Sequence, residues 1–368
     1  MYIDTHVHCR DLKESKKETI EHALYVAEKT GATAICAEPN TKPSLIDKET
    51  VEDYLRIAKQ ANSPVQFYGW VGVTMNYDKE KREYQTDQLR RAVELVRTNP
   101  QVVGLKFFPC HSVGDLGILN YHAQDKVFSV LAEEGYEGVI QIHAEDENIN
   151  RKNKKKWIPE KPWTWNNARP EKSEIEMVYR VIGYAFLNNF RGKLHFAHIS
   201  TVESVDRINN VNWLVQNDPY FQDNMQSVTC EATFQHLLLN TEFMKRENGL
   251  YLKCNPPVRE KQLADYGLGS NIWCIGTDHA PHTKEEKLQK HMSGVTSLHF
   301  WARGIKYLRE ILGIREERLH KFIFENPREL LGLDIEPRKV TLEREVFTQE
   351  FAIAHYGFDP FRHAFHNL

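Results

Sequence analysis

Short apolar runs alternate with longer amphipathic segments along most of the chain. The first amphipathic segment, residues 15–29, is predicted as a helix because its apolar residues recur at helical spacing, and Gly31 ends it. Further helices are predicted over residues 48–61, 87–98, 124–134 and 174–187. The apolar runs between the helices are short enough to be buried strands, and we predict eight of them, over residues 3–8, 32–37, 65–73, 102–108, 138–143, 193–198, 227–231 and 271–276.

This alternation of strands and helices predicts an α/β protein built as a closed parallel (β/α)8 barrel of the TIM type, in preference to an open sheet. We assign residues 1–333 to the barrel. Residues 334–368 are expected to form a C-terminal extension that packs against the barrel as short strands.

Composition narrows the class of protein. The chain has 368 residues, 41% of them hydrophobic, and a formal net charge of -3. This near balance gives no electrostatic reason to expect nucleic acid or a membrane as a partner. No apolar run approaches the roughly 20 residues that span a bilayer, and no signal peptide precedes Asp4. The six cysteines form no C-x-x-C pair, which predicts reduced thiols and a cytoplasmic protein.

Side chains that can bind a metal are concentrated where the predicted strands end. In a (β/α)8 barrel the C-terminal ends of the strands form the active face. Asp4, His6 and His8 alternate along the first strand and therefore point to one face. Two imidazoles two residues apart can bind one metal ion together, so the pattern predicts a metal site at the barrel mouth. Later strands are closed by further candidates for this site, namely Lys106, His143, His198 and Asp278.

Some of these side chains also have a purely structural interpretation. His195 and His198 are three residues apart, so a strand sends them to opposite faces. We expect His198 at the mouth and His195 in a hydrogen-bonded packing position. His143 follows an apolar strand, where an imidazole is costly unless it has a partner. Lys106 is either buried and neutralised or paired, or it is a side chain whose tip reaches solvent.

Several motifs, in the same order along the chain, resemble the amidohydrolase superfamily and, more narrowly, the dihydroorotases. The opening Asp4-Thr5-His6-Val7-His8-Cys9-Arg10 is similar to the family's metal-binding opening, and Asp278-His279-Ala280-Pro281-His282 is similar to its catalytic segment. Glu38-Pro39-Asn40-Thr41 resembles the family's Met-Pro-Asn-Thr, and Asn255-Pro256-Pro257-Val258-Arg259 resembles its substrate loop. The resemblance spans nearly the whole chain and is strongest to the dihydroorotase domain of fused pyrimidine-pathway enzymes.

The resemblance implies a reversible, metal-dependent cyclisation of N-carbamoyl-L-aspartate to L-dihydroorotate in de novo pyrimidine biosynthesis. It implies two zinc ions bridged by a carboxylated Lys106, and Asp278 as the catalytic proton carrier. The other implied metal ligands are His6, His8 and Asp278 for the more buried ion, and His143 and His198 for the outer ion. The implied substrate-binding residues are Arg10, Asn40 and His282, followed by Asn255 and His236. A homodimer and an association with a carbamoyltransferase are also expected.

The chain departs from the family's pattern at Glu38 and in its flanking β-sandwich, and two further segments have no assigned role. Glu38 replaces a methionine, and it either alters the edge of the pocket or is a solvated carboxylate. The β-sandwich that flanks the family's barrel is expected to be vestigial, since at most two residues precede the first strand. The basic run 151–156 is interpreted as a solvated insertion, although a place at the rim of the mouth stays open. The Trp-rich stretch 157–165 is an ordered loop, a lid or an oligomer contact.

Two other functions remain open. One is another cyclic amidase, such as a hydantoinase or an allantoinase, which shares the metals but not the substrate. Arg10 argues against it, because those substrates lack a carboxylate in that place. The other is a non-catalytic, dihydroorotase-like subunit that supports the assembly of a carbamoyltransferase. All six predicted metal positions are filled, which argues against a degenerate scaffold.

Overall fold

A parallel sheet of eight strands in sequential order forms the centre of the protein. The computed structural model describes residues 1–266, 272–338 and 348–362. The strands are β1 (Tyr2–Val7), β2 (Ala32–Ala37), β3 (Gln66–Gly72), β4 (Val102–Phe107), β5 (Val139–Ile142), β6 (Lys193–Phe196), β7 (Ser227–Thr233) and β8 (Cys274–Gly276). Each strand pairs in parallel with the next. The N–H of His8 donates to the carbonyl of His279 at 2.8 Å and joins the two ends of the sheet, so the predicted barrel is confirmed.

Helices surround this barrel. Those on its flank and rim are α1 (Ile20–Thr30), α2 (Lys48–Gln60), α3 (Asp87–Thr98), α4 (Tyr121–Glu133), α5 (Glu147–Asn153), α6 (Trp165–Ala168), α7 (Glu171–Leu187), α8 (Val202–Asn217), α9 (Pro219–Gln222), α10 (Phe234–Leu238), α11 (Thr241–Met244), α12 (Lys284–Leu288), α13 (Trp301–Glu310), α14 (Glu316–His320), α15 (Asn326–Leu331) and α16 (Gln349–Tyr356). A π-helical turn, Lys321–Glu325, joins α14 to α15, and a two-stranded hairpin of Asn76–Asp78 and Glu83–Gln85 precedes α3. None of the helices in the described ranges is long and apolar enough to cross a membrane.

The start of α1 differs from the prediction, which placed it at residue 15. The Asp11 carboxylate accepts hydrogen bonds from the N–H groups of Leu12 and Ile20, so the chain turns once before the helix begins. Thr19 then caps the helix, with its hydroxyl accepting from the N–H of His22 at 3.1 Å. Gly31 ends the helix with a φ of 93°, a conformation that glycine adopts without strain.

Large side chains fill the lower part of the barrel and leave the C-terminal end for the site. Trp70 is fully buried, and its Nε1 donates to the carbonyl of Thr5 at 2.9 Å. Gly104 lies against this indole, and a Cβ at that position would stand 2.5 Å from the carbonyl oxygen of Val139. The tight contact explains a glycine inside β4, and it closes the barrel beneath the site.

The C-terminal extension contacts the barrel through polar and aromatic side chains. Tyr356 donates to Glu18 at 3.1 Å, and Phe361 stacks on Phe300 with ring centroids 3.9 Å apart. Short strands were expected over residues 334–368. The described part of that range contains α16 and no strand, while residues 339–347 and 363–368 lie outside the described residues. Residue 271, the predicted first residue of the last strand, also lies outside them.

The insertion after β5 divides into a solvated part and a part that reaches the barrel mouth. The basic side chains Arg151, Lys152 and Lys154 are exposed, as expected for a solvated run. Trp165 packs inward instead, and its Nε1 donates to the carbonyl of Cys254 at 2.9 Å and lies 3.0 Å from Oδ1 of Asn255. The insertion therefore contributes to the wall of the site.

Candidate metal and substrate site at the barrel mouth

Three of the predicted metal ligands meet at the junction of β1 and β8. His8 Nε2 lies 2.9 Å from Oδ1 of Asp278, and His6 Nε2 lies 3.4 Å from the same oxygen. All three side chains are buried, and their ligand atoms lie within 4.8 Å of one another. The period-two alternation along β1 brings the two imidazoles to one face, as the sequence predicted.

The backbone is unusual at two of the candidate ligands. Asp278 has a φ of 46° and His198 a φ of 36°, both in the left-handed region. For residues other than glycine this conformation costs about 1–3 kcal/mol and is found most often at functional sites. Both residues follow the end of a strand, so the turn aims each side chain across the barrel mouth.

Glu231 on β7 supports the inner group, although the sequence analysis gave it no role. Its Oε1 lies 3.0 Å from His6 Nδ1 and accepts from the N–H of His198 at 3.2 Å, while its Oε2 accepts from the Thr5 hydroxyl. A carboxylate at Nδ1 places the imidazole proton there and leaves Nε2 as a lone pair. Gly276 makes room for this contact, since a Cβ on that residue would collide with the Glu231 carboxylate.

His143 and His198 form a second group beside the first. Nδ1 of His143 lies 3.0 Å from Nε2 of His198, and the other ring nitrogen of His143 lies 2.7 Å from Oε2 of Glu145. Arg169 Nε donates to the other oxygen of Glu145 at 2.9 Å. This arrangement fixes the orientation of the His143 ring and turns its Nδ1 toward His198.

Burial sets the protonation of these groups. It lowers the pKa of His6, and the Lys106 ammonium lowers it further. Burial likewise lowers the pKa of His8, His143 and His198, so these imidazoles are neutral, which is the form that binds metals. Burial, followed by the nearby Glu231 carboxylate, raises the pKa of Asp278 well above its ordinary value.

Lys106 and Glu38 lie together at the inner edge of the site, and both are 0% exposed. Lys106 Nζ stands 3.0 Å from Oε2 of Glu38 and donates to Oε1 of Gln141 at 2.7 Å. Burial raises the pKa of Glu38 to about 7, against the opposing effect of Lys106. The alternatives of a solvated Glu38 and of a Lys106 tip that reaches solvent are therefore wrong, because the barrel closes over both side chains.

Arg10, Asn40 and His282 line a cavity of about 370 Å3 above the metal-binding groups. Arg10 is 3% exposed, and its NH1 donates to the carbonyl of Asn40 at 3.2 Å. His282 Nε2 lies 3.0 Å from the carbonyl oxygen of Ser293. Asn255 lines the same cavity. His236 is outside the cavity wall, since its two ring nitrogens lie 2.8 Å from the Thr233 hydroxyl and 2.9 Å from the Pro256 carbonyl.

His195 lies below the site, as expected for a packing residue. It is fully buried, and its Nδ1 stands 2.9 Å from the Thr229 hydroxyl. Its Nε2 is 3.8 Å from the sulfur of Cys274. The structure thus separates the two histidines of this strand and its end, as the spacing of three residues predicts.

Two basic side chains that the sequence analysis missed also line the cavity, Arg169 and Lys253. Lys253 Nζ donates to the Ser293 hydroxyl at 2.8 Å, and burial, together with Lys287, lowers its pKa to about 7. With Arg10, they place three basic side chains in the cavity wall, which suits an anionic ligand. The only sequence signal was the position of Lys253 two residues before Asn255.

The donor set fits a divalent metal. Neutral imidazole nitrogens and carboxylate oxygens are ligands that zinc and similar ions accept. Among the described residues, Nδ1 of His198 and Oε1 of Glu38 are buried without a hydrogen-bond partner, and Oε2 of Glu38 has only the ion pair with Lys106. Unpaired buried polar atoms are costly and rare, so their concentration here indicates that the site is built to hold a further group.

Comparison with known proteins finds relatives that are named dihydroorotases. A family model described as dihydro-orotase-like matches residues 1–106. A dihydroorotase of Clostridium botulinum is 26% identical over 343 residues, which are 90% of this chain and 72% of the relative. A dihydroorotase of Thermococcus kodakarensis is 30% identical over 291 residues, which are 77% of this chain but 57% of the relative. The chain thus spans less than two thirds of some relatives and more than two thirds of others.

Solved structures of low sequence identity share the fold. An L-hydantoinase from Arthrobacter aurescens superposes with a TM-score of 0.72 at 22% identity, covering 93% of this chain and 73% of that one. A dihydropyrimidinase from Brevibacillus agri superposes with a TM-score of 0.68 at 18% identity, covering 93% and 72%. At these identities the likeness concerns the barrel and its helices alone.

Proposed function

We propose that this chain is a dihydroorotase-like member of the amidohydrolase superfamily and that it interconverts N-carbamoyl-L-aspartate and L-dihydroorotate. The reaction opens or closes one cyclic amide bond and serves de novo pyrimidine biosynthesis. The sequence relatives support this substrate more directly than the hydantoinase-like structures do.

Arg10 is the observation that carries the substrate assignment. Its guanidinium lies in the cavity above His8 and Asp278, and one nitrogen is already held by the Asn40 carbonyl. Its Nε is buried without a hydrogen-bond partner among the described residues. A buried guanidinium with donors to spare suits a carboxylate, which it can grip through two hydrogen bonds. Dihydroorotate carries such a carboxylate, whereas hydantoin and dihydrouracil do not.

The metal would be held by the two groups of ligands described above. His6, His8 and Asp278 would hold a more buried ion, and His143 and His198 an outer one. When bound, divalent ions supply water of lowered pKa and polarise the amide carbonyl. Zinc is the proposed metal because the donors are nitrogen and oxygen without thiolate. A carboxylated Lys106 as bridging ligand stays a prediction.

Asp278 is the proposed proton carrier. Its carboxylate lies at the floor of the cavity, where it can take a proton from the attacking water and deliver it to the departing ring nitrogen. In the biosynthetic direction the same group works in reverse. His282, Asn40 and Arg10 would hold the substrate carboxylate, and Arg169 and Lys253 would add to the attraction for the doubly anionic carbamoyl aspartate. Asn255 stays a second-rank prediction for substrate binding. His236 was predicted with it, but both of its ring nitrogens are engaged outside the cavity wall, so we propose no substrate contact for it.

Other properties stay predictions too. A homodimer and an association with a carbamoyltransferase are expected from the resemblance alone, and a cytoplasmic location from the cysteine usage. The division into a barrel over residues 1–333 and an extension over 334–368 is likewise proposed. None of these alters the chemistry assigned to the barrel mouth.

A substrate panel tests the proposed function. Zinc-loaded protein should be assayed with L-dihydroorotate, N-carbamoyl-L-aspartate, dihydrouracil and hydantoin. We expect catalytic efficiency on dihydroorotate to exceed that on dihydrouracil by roughly a hundredfold or more, because only the former fills the Arg10 site. Preference for hydantoin would favour a general cyclic amidase. Zinc-saturated protein inactive on the whole panel would favour a non-catalytic assembly subunit.

A further inference from the structure

Trp165, in the insertion after β5, is fixed in one orientation at the wall of the cavity. Lys253 Nζ lies over its ring, 3.7 Å from the centroid, and the ring of Trp157 packs against it at 73° with centroids 5.1 Å apart. Lys253 is itself held in place, because it donates to the carbonyl of His291 and to the hydroxyl of Ser293, both at 2.8 Å. The indole therefore has little freedom to turn.

The indole N–H sets the orientation of the Asn255 side-chain amide. Nε1 of Trp165 donates to the carbonyl of Cys254 at 2.9 Å and to Oδ1 of Asn255 at 3.0 Å. An indole nitrogen only donates, so the amide atom beside it is the carbonyl oxygen and not the nitrogen. The two N–H groups of Nδ2 have no hydrogen-bond acceptor within the described part of the chain. Because Asn255 is partly exposed and lines the cavity, these donors are available to a ligand.

An unpaired amide N–H in this cavity suits a neutral carbonyl oxygen. The substrate carboxylate is already assigned to Arg10, Asn40 and His282. What remains of dihydroorotate is a cyclic ureide, in which one carbonyl lies between two ring nitrogens. Dihydrouracil and hydantoin carry the same carbonyl, and carbamoyl aspartate keeps it in its ureido group. The ureide carbonyl is thus common to all these compounds, whereas the carboxylate is not.

We propose that Trp165 is a positioning residue, which fixes the Asn255 amide so that its N–H groups face the ureide carbonyl of the substrate. The inference rests on the proposed function and adds to it a role for the insertion after β5. Asn255, held by Trp165, recognises the class of ureides, and Arg10 selects the member of that class that carries a carboxylate.

The amide needs such a partner because its two ends are nearly equal in shape. A half-turn of the Asn255 amide exchanges the oxygen and the nitrogen, and an oxygen directed at the substrate carbonyl would repel it. In that flipped state the hydrogens of Nδ2 would also point at the indole N–H of Trp165. The indole therefore disfavours the unproductive orientation before the substrate arrives, which is preorganisation of the binding contact.

A double-mutant cycle on zinc-loaded, full-length protein tests the proposal. Steady-state kinetics with L-dihydroorotate and dihydrouracil should compare the parent, Trp165→Phe, Asn255→Ala and the double variant. Trp165→Phe keeps an aromatic ring but removes the donor, so KM should rise roughly tenfold on both substrates. We expect kcat to stay near the parental value, because the contact is made in bound substrate and transition state alike. In the Asn255→Ala background, Trp165→Phe should change catalytic efficiency by less than about twofold.

Trp163→Phe is the matched control, since Trp163 belongs to the same insertion but lines a separate surface hollow. Its KM should be parental. A parental KM in Trp165→Phe, or an equal loss with and without Asn255, would overturn the proposal and leave Trp165 as part of the wall only.

Should Trp165→Phe misfold, Asn255→Asp replaces it. Its carboxylate still accepts from the indole but presents an oxygen to the substrate, so KM should rise roughly tenfold or more. A parental KM in Asn255→Asp would overturn the proposal. Preference of the parent for hydantoin, or binding without turnover, would defeat the proposed function alone, because the same cycle is then measured with hydantoin or on the dissociation constant of dihydroorotate.

Discussion

Two glutamates, Glu38 and Glu174, are both fully buried in the same barrel, yet their surroundings are opposite. Glu174 on α7 accepts from the backbone N–H groups of Ser200 and Thr201 at 2.9 and 3.0 Å, and from both of their hydroxyls. Glu38 has one ammonium beside it and no well-formed hydrogen bond among the described residues. The fold satisfies the hydrogen-bonding capacity of the Glu174 carboxylate, whereas that of the Glu38 carboxylate is satisfied only when another group binds.

The contrast separates structural from functional polar groups. Glu174 joins α7 to the turn after β6, and the four hydrogen bonds that its carboxylate accepts offset the free-energy cost of its burial. The same holds for Glu18, whose carboxylate lies 3.1 Å from His279 and accepts from Tyr356 at 3.1 Å. At the barrel mouth, by contrast, some buried polar atoms have no hydrogen-bond partner among the described residues. A metal and an anionic substrate are proposed to bind there. Substitution of a structural polar group should therefore lower stability, whereas substitution of a polar group at the barrel mouth should impair binding or turnover.

The largest effect is expected at the proton carrier. Asp278→Asn keeps the shape of the side chain but cannot carry the proton, so turnover should fall by roughly a thousandfold or more, equivalent to about 4 kcal/mol. Steady-state kinetics with dihydroorotate measure this loss. Asp359→Asn is the matched control, since Asp359 is buried but is held by Arg303 at 2.9 Å, away from the mouth. Near-parental turnover in Asp278→Asn would refute its role.

Substitution of Glu174, whose carboxylate is fully hydrogen-bonded, should lower the free energy of unfolding. Glu174→Ala leaves the donors of Ser200 and Thr201 unpaired in a buried place, so the free energy of unfolding should drop by about 3 kcal/mol. Urea unfolding of the metal-free protein measures it, and zinc stoichiometry at low denaturant should stay parental. A loss of zinc without a loss of stability would erase the distinction between the two glutamates.

Arg10→Lys tests whether Arg10 selects a substrate that carries a carboxylate. Lysine keeps the charge but cannot form the two-pronged contact with a carboxylate. Catalytic efficiency on dihydroorotate should fall roughly a hundredfold, about 2.7 kcal/mol, while residual activity on dihydrouracil stays the same. An equal loss on both substrates would mean that Arg10 supports the site's structure and does not select the substrate.

The smallest effect is expected in the pH dependence of stability at Glu18. Although burial opposes it, the nearby His279 and His22 lower the pKa of Glu18 from 4.5 to about 2. A carboxylate with a lowered folded-state pKa stabilises the fold above its unfolded pKa, and loses that contribution as the pH falls from about 4.5 toward 2. Glu18→Gln should remove about 2 kcal/mol of this dependence. Parallel curves of unfolding free energy against pH, measured for parent and variant, would contradict it.

The sequence predicted those parts of the site that depend on local geometry. His6 and His8 follow from the period of a strand, and Asp278 follows from the rule that barrel strands end at the active face. Glu231 sits on a strand as well, but its role depends on Gly276 of the neighbouring strand leaving space for the carboxylate. The residue pattern of one strand does not predict a contact with the neighbouring strand.

Other parts of the site could not be predicted because they depend on distant segments meeting. Arg169 follows the Trp-rich stretch 157–165 and lies outside every segment with a predicted role, yet it reaches Glu145 and the cavity. Glu38 follows a strand, where an acidic residue equally suits an exposed turn. Its burial depends on β1 and β4 bringing His6 and Lys106 against it. The barrel itself could be predicted from the alternation of apolar strands and helices alone.

At the barrel mouth we propose a metal-dependent site for dihydroorotate. The most direct measurement is dihydroorotate hydrolysis by chelator-stripped protein during stepwise addition of zinc, with bound zinc determined at each step. We expect no turnover in the metal-free protein and a rate that rises with bound zinc until the site is saturated. Full turnover by metal-free protein, or none at saturating zinc, would contradict it.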